Sequence, residues 1–281
     1  MRFGVHIHVG GGYSAAADYA ERLGCDTVQI FSDNPKTYRT KAIDTDALQA
    51  FALRRSAAGI TPAVIHTSYL INLATDDPKI MAGSLRLLKN DLKVAGIGDI
   101  AYVNTHLGSY GTRPRSEGFA SVVSALEDAL ADIPPNVGLV LENSAGAGQL
   151  CGGTIEELGE ILRAVDHPQL GVCVDTAHSW AAGYEIDSQP GVDRFVDLIA
   201  EQITLDRLKL FHFNDTQIPL GGHRDRHWHI GEGRIGFAGF RALATRSELR
   251  DKPAILETPG EEADDLRNLL TVRAIFEGAR T

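Results

Sequence analysis

Residues 171–178 read Gly-Val-Cys-Val-Asp-Thr-Ala-His. Four small or apolar residues run without a polar break and stop at Asp175. A continuous apolar run fits a parallel-sheet strand buried on both faces. Similar runs occur at 3–6, 27–31, 63–66, 101–106, 137–142, 208–213 and 254–257. Helical stretches lie between them: 14–23 before Gly24, 46–58 before Gly59, and one with Pro78 in its first turn and Gly96 after its last. Others cover 117–131, 192–202, 237–244 and 262–276, and Thr154-Ile-Glu-Glu157 reads as a capping box opening another. Strand then helix, eight times over, predicts an α/β fold: one (β/α)8 TIM barrel spanning 1–281, with active-site loops at the C-terminal face. The alternative, an open doubly wound sheet, lacks its sign, because no GxGxxG follows the first strand.

Composition narrows the class. Hydrophobic residues are 43% and charged residues 23%, which excludes a disordered or fibrous chain. No run of 18 apolar residues is present, so no membrane-spanning helix is expected. The first residues lack the apolar core and cleavage site of a secretory leader, which predicts a cytoplasmic protein. Cys25, Cys151 and Cys173 are far apart, with no CxxC; this fits a reducing compartment and argues against a disulfide framework or a thiolate zinc site. The net charge of −10 argues against nucleic acid as a partner unless bound divalent metals reverse the local field.

The strand ends supply the candidates for such metals. They are His6, Phe31, His66, His106, Glu142, Asp175, His212 and Glu257, so seven of eight are ionisable. With 37 acids and 10 histidines in 281 residues, such types occupy roughly one position in six, and the clustering is not chance. The C-terminal strand ends are the catalytic face of a barrel. Imidazole and carboxylate without thiolate suits Zn²⁺, Mn²⁺ or Fe²⁺. Asp175-Thr-Ala-His178 places a second donor one turn past its strand. Asp225-Arg-His227 is a D-x-H pair whose side chains point the same way if extended. The nine candidates His66, His106, Glu142, Asp175, His178, His212, Asp225, His227 and Glu257 exceed the needs of one metal and suit three, if one carboxylate bridges. His6 and His8 read equally well as structural, His167 as a loop surface residue, His223 and His229 as neighbours of the donors, and Cys173 as core.

Taken in order, these stretches resemble the endonuclease IV family of apurinic/apyrimidinic endonucleases. The matching segments are GVHIHVGGG at the start, HTSYLINL (66–73), NTHLGS (104–109), LENSAGAG (141–148), GVCVDTAHSWAAGY (171–184), HFNDT (212–216), DRH with GEGRIG (225–236) and ILET (255–258). The resemblance implies a xylose-isomerase-like barrel with three zinc ions. His66, His106 and Glu142 would hold the first. Glu142 would bridge to the second, completed by Asp175, His212 and Glu257, which puts Glu142 and Glu257 at the catalytic centre. His178, Asp225 and His227 would hold the third. The implied reaction hydrolyses the phosphodiester 5′ to an abasic site, leaving a 3′-hydroxyl and a 5′-deoxyribose phosphate, in base excision DNA repair. The expected partner is double-stranded DNA containing abasic sites, met by a monomer with no membrane involved. Tyr69 and Leu70 would enter the duplex, and Lys36 would contact DNA.

The chain departs from the family at four places. Asn34-Pro-Lys-Thr-Tyr38 stands where N-Q-R-Q-W is usual, so Lys36 replaces a stacking guanidinium and Tyr38 a Trp. His8 falls where Ser is usual, and Trp228 where another His is common. Two rival readings remain. A sugar isomerase or epimerase on the same barrel would need one metal and only Glu142, Asp175, His212 and Glu257. A barrel that binds DNA without cutting would leave the full donor set unexplained.

Overall fold

The computed structural model describes residues 1–279; the last two positions of the 1–281 span lie outside them. The strands in chain order are β1 (Arg2–Ile7), β2 (Thr27–Phe31), β3 (Ala63–His66), β4 (Tyr102–Thr105), β5 (Gly138–Glu142), β6 (Leu170–Asp175), β7 (Leu208–His212), β8 (Asp215–Thr216), β9 (His227–Trp228) and β10 (Pro253–Leu256). The helices are α1 (Tyr13–Arg22), α2 (Thr45–Ala57), α3 (Pro78–Ile97), α4 (Arg115–Leu130), α5 (Ile155–Val165), α6 (Thr176–Ala182), α7 (Gln189–Gln202), α8 (Gly236–Thr245) and α9 (Glu262–Gly278). Strands β1 to β7 and β10 form one closed parallel barrel. It closes where β10 pairs with β1, Gly4 opposite Ile255. Among the described residues, no helix is long and apolar enough to cross a membrane.

The apolar core has two layers. The larger one packs the outer faces of the strands against the helices. The smaller one fills the barrel with Val64, Val140, Cys173, Leu210 and Ile255. Side chains two apart on a strand share a face. The next inward positions are therefore His66, Glu142, Asp175, His212 and Glu257. The candidate donors stand directly above an apolar floor, which fixes their height and direction.

Several local expectations change. Gly96 lies inside α3, whose cap is Gly98. It is glycine because a Cβ there would come within 2.8 Å of Pro134, so it serves close packing and does not end the helix. Thr154 does cap α5, accepting from the Glu157 amide. The other half of the capping box is absent: the Glu157 carboxylate turns back to the Gly152 and Gly153 amides and pairs with Arg115. The complete box opens α9, between Glu261 and Asp264. The eight expected helices are joined by short α6, and the D-x-H segment folds into a hairpin, β8 against β9.

Candidate metal centre

Four strand ends meet in one group. Donor atoms of Glu142, Asp175, His212 and Glu257 all lie within 4.8 Å of one another. His66, His106 and Glu142 form a second group by the same measure, and Asp175, His178 and His227 a third. Asp225 joins the third, its Oδ1 being 3.2 Å from His178 Nε2 and 3.4 Å from His227 Nε2. All nine sequence candidates thus converge at the mouth of the barrel. The trio at His178 and His227 is faced by two carboxylates, Asp175 and Asp225, where the sequence singled out Asp225.

Asp175 has two tasks. Its Oδ1 accepts the His178 amide at 2.8 Å and so starts α6, the helix that carries His178. Its Oδ2 faces the donors, 3.5 Å from His227 Nε2. Glu142 is the most shared group: Oε2 lies 3.3 Å from His66 Nε2 and 3.6 Å from His106 Nε2, while Oε1 lies 3.0 Å from His212 Nδ1. Burial opposes its ionisation, yet the facing imidazoles of His106 and His212 hold its carboxyl well below the ordinary carboxylate range. Glu257 behaves alike, chiefly through His212. Burial likewise opposes the charged form of Asp225, but His178 holds its carboxyl down at about 2. Cys173 also lies beside Glu142 and His212, but burial pushes its thiol up to about 12, so it remains a neutral packing group.

The chemistry of the donors fits metal ions. The Nε2 atoms of His178 and His227 are buried and make no hydrogen bond. Their Nδ1 atoms face the backbone carbonyls of Asn143 (3.0 Å) and Glu257 (3.2 Å), and His66 Nδ1 faces that of Thr67 (2.8 Å). An imidazole that donates one N–H to a carbonyl presents the other nitrogen as a bare lone pair, the usual support of a metal-bound histidine. Several such lone pairs aimed at carboxylates would be costly in a buried site without cations between them.

Sequence reasoning missed the groups that hold these donors. Asn104 donates to Glu142 Oε2 at 2.5 Å, and Asn214 donates to Asp175 Oδ2 at 2.7 Å while accepting the Glu257 amide. Asn143 accepts the Asp175 amide at 2.7 Å. Gln29 reaches from β2 to Glu257 Oε1 (2.6 Å) and His212 Nε2 (2.9 Å). The signal was present: amides inside or beside strands that otherwise read as apolar. Asp215 is a further case. Its carboxylate accepts the amides of Thr216, Gly231, Gly233, Ile235 and Gly236, which pins the GEGRIG loop. A Cβ at Gly233 would lie 2.3 Å from Asp215 Oδ1, so only glycine fits there.

The outlying candidates sort clearly. His6 joins the edge of the site, with Nδ1 3.0 Å from Glu257 Oε1, while His8 is exposed at the mouth. His229 bonds Asn268 on α9 and His167 accepts an amide in its own loop, so neither faces the donors. A cavity of ≈ 420 Å³ opens over the centre, with Tyr69, Phe31 and Arg226 on its wall. Tyr69 is 61% exposed, its ring edge-on to Phe31 at 5.3 Å. Leu70 is half-buried, and Lys36 is exposed on the loop after β2.

Two relatives are similar to the chain over nearly their whole length. A protein named "Probable endonuclease 4" from Natranaerobius thermophilus is 40% identical over 277 residues, covering 98% of either chain. One of the same name from Natronomonas pharaonis is 37% identical over 282 residues, covering 99% of this chain and all of its own. The chain belongs to the endonuclease IV family. The family model for the xylose isomerase-like TIM barrel matches residues 17–275. The crystal structure of endonuclease IV from Thermus thermophilus superposes with a TM-score of 0.87 at 33% identity, covering 99% of this chain and all of that one. A D-tagatose 3-epimerase-like protein at 20% identity and TM-score 0.77 shares the fold alone.

Proposed function

We propose that this endonuclease is a zinc-dependent apurinic/apyrimidinic endonuclease that hydrolyses the phosphodiester 5′ to an abasic site. The observation that carries the proposal is the surplus of donors around the quartet. Glu142, Asp175, His212 and Glu257 alone would satisfy a one-metal sugar isomerase. His66 and His106 on one side, and His178, Asp225 and His227 on the other, would then have no purpose. Three groups suit three ions: His66, His106 and Glu142; Glu142, Asp175, His212 and Glu257; His178, Asp225 and His227, with Asp175 beside them. When bound, zinc supplies Lewis acidity and a nucleophile available at neutral pH.

The chain's own residues do the rest. Glu142, shared by two groups, fixes their spacing. The cavity over the centre admits a phosphodiester, and three divalent ions would bring six positive charges to a chain of net −10. Around the mouth, Lys36, Arg39, Arg224, Arg226 and Arg234 are exposed and form no ion pair among the described residues. They are free to meet backbone phosphates of double-stranded DNA. Tyr69 and Leu70 stand on the loop after β3, where they can fill the gap left by an extruded nucleotide, least costly where the base is already missing.

Elemental analysis of the purified chain, with mapping of the ends produced on an abasic duplex, tests this reading. About three zinc per chain, with 3′-hydroxyl and 5′-deoxyribose phosphate ends, is the expected result. About one metal per chain, with ketose interconversion and no incision, would establish the isomerase instead.

A further inference from the structure

Strand β2 is the one barrel strand that does not end at or beside an ionisable residue, yet Gln29 in its interior is fully buried and polar. Its side chain touches three groups: His6 on the neighbouring strand β1, whose Nδ1 lies 2.9 Å from Gln29 Nε2, and Glu257 and His212, both far away in sequence. Gln29 Nε2 lies 2.6 Å from Glu257 Oε1, and Gln29 Oε1 lies 2.9 Å from His212 Nε2. A carboxylate only accepts, so the NH₂ end must face Glu257. The carbonyl end then faces His212 and can only accept, so Nε2 of His212 must carry the proton. The lone pair of His212 is thereby forced onto Nδ1. That atom points at Glu142 Oε1 (3.0 Å), Glu257 Oε2 (3.3 Å) and Asp175 Oδ2 (3.9 Å). His66, His178 and His227 are turned the opposite way, Nδ1 to a backbone carbonyl and Nε2 inward.

We propose that Gln29 is a positioning residue that sets which ring nitrogen His212 presents and, through the same amide, the rotation of the Glu257 carboxylate. This rests on the metal reading above. The floor beneath explains the need. His212 stands on Leu210, with no backbone carbonyl taking its outer nitrogen, so its tautomer must be fixed from across the barrel. A glutamine suits the task because its two ends differ: one donates to the acid while the other accepts from the imidazole. Glutamate or leucine at 29 cannot do both.

The test uses full-length enzyme with Gln29→Leu and Gln29→Glu, beside wild type and His212→Ala. Zn²⁺ affinity is measured against a chromophoric chelator, and histidine ring-nitrogen shifts are recorded on the zinc-loaded, ¹⁵N-histidine-labelled protein. Wild type should show a single ring bound through Nδ1, a signal absent from His212→Ala. Gln29→Leu should weaken zinc binding about 10- to 100-fold, the scale of a lost outer partner, and abolish or split that signal. Gln29→Glu keeps the acceptor for His212 and should retain the Nδ1 signal, while its added carboxylate disturbs Glu257. Thermal unfolding in excess chelator should change little in Gln29→Leu, which separates positioning from plain destabilisation. If Gln29→Leu keeps wild-type zinc affinity and an unchanged Nδ1 signal, the proposal is overturned. If His212→Ala binds zinc as wild type does, the metal reading falls and the role of Gln29 falls with it.

Discussion

Asp215→Asn is the most informative change outside the donors. The carboxylate takes five backbone N–H bonds, two on Oδ1 (Thr216, Ile235) and three on Oδ2 (Gly231, Gly233, Gly236). Asparagine can keep the first two. Its NH₂ would then face three amide hydrogens, donor against donor. Hydrogen bonds to a charged partner contribute about 1.5–3 kcal/mol each, so three amount to at least about 4 kcal/mol if the loop cannot move. The loop lies near the surface and can open to rehydrate its amides, so we expect a net loss of about 3 kcal/mol. For a chain of this size that corresponds to a fall in melting temperature of roughly 6–12 °C. The loss should be local first: exchange of the amides at 231, 233 and 236 should accelerate more than that of the barrel strands. Because β8 also carries the pairing of Thr216 with His227, zinc content should fall by up to one ion. Chelator-treated protein is compared by calorimetry and hydrogen exchange, and zinc-loaded protein by elemental analysis. Unchanged protection of these three amides together with an unchanged midpoint would refute the keystone argument.

Other perturbations probe separate parts. Glu142→Gln weakens a carboxylate facing four imidazoles and should remove more than one zinc and cut incision by orders of magnitude; Cys173→Ser, in the floor below, is the comparison, and equal activity of the two would disprove the bridge. Lys36→Ala should lower the slope of log affinity against log salt by about one for abasic duplex while single-turnover incision at saturating DNA holds; an unchanged slope means that Lys36 does not touch the backbone. Burial raises the Asp91 carboxyl from 3.8 to about 7, so the folded chain keeps a proton that the unfolded chain gives up near pH 4. Stability is then lost as pH rises from about 4 to about 7 and is level above. Asp91→Asn cannot ionise, and its stability relative to wild type should improve by about 2–3 kcal/mol between pH 5 and pH 8 in denaturant titrations, whereas a pH-independent difference would show that Asp91 is not protonated in the fold.

The barrel and its donor-bearing strand ends were legible because each strand reads as a short continuous apolar run that stops at or beside an ionisable residue. Val140 and Glu142, or Leu210 and His212, are one inward step apart, and a sequence displays that spacing directly. The supports were not legible, since Gln29 meets partners 183 and 228 positions away and nothing near it in the chain marks them. Helix α6 was too short to show a period, and it exists because Asp175 caps it. Glu157 shows how tertiary context overrides a local motif: the Gly152 and Gly153 amides and Arg115 drew it away from its own helix. Gly96 was read as a stop signal when its reason was the ring of Pro134.

The donors are drawn from seven separate segments, and their order has a consequence for synthesis. The first to leave a ribosome is His66 and the last is Glu257, one residue past β10, the strand that seals the barrel against β1. A growing chain therefore carries most of its imidazoles and acids for a long interval without the geometry that brings them together. No amino-terminal fragment that stops before Glu257 contains the full set. If the three-metal reading holds, cutting power is withheld until the ring is complete, and a truncated or stalled product lacks it.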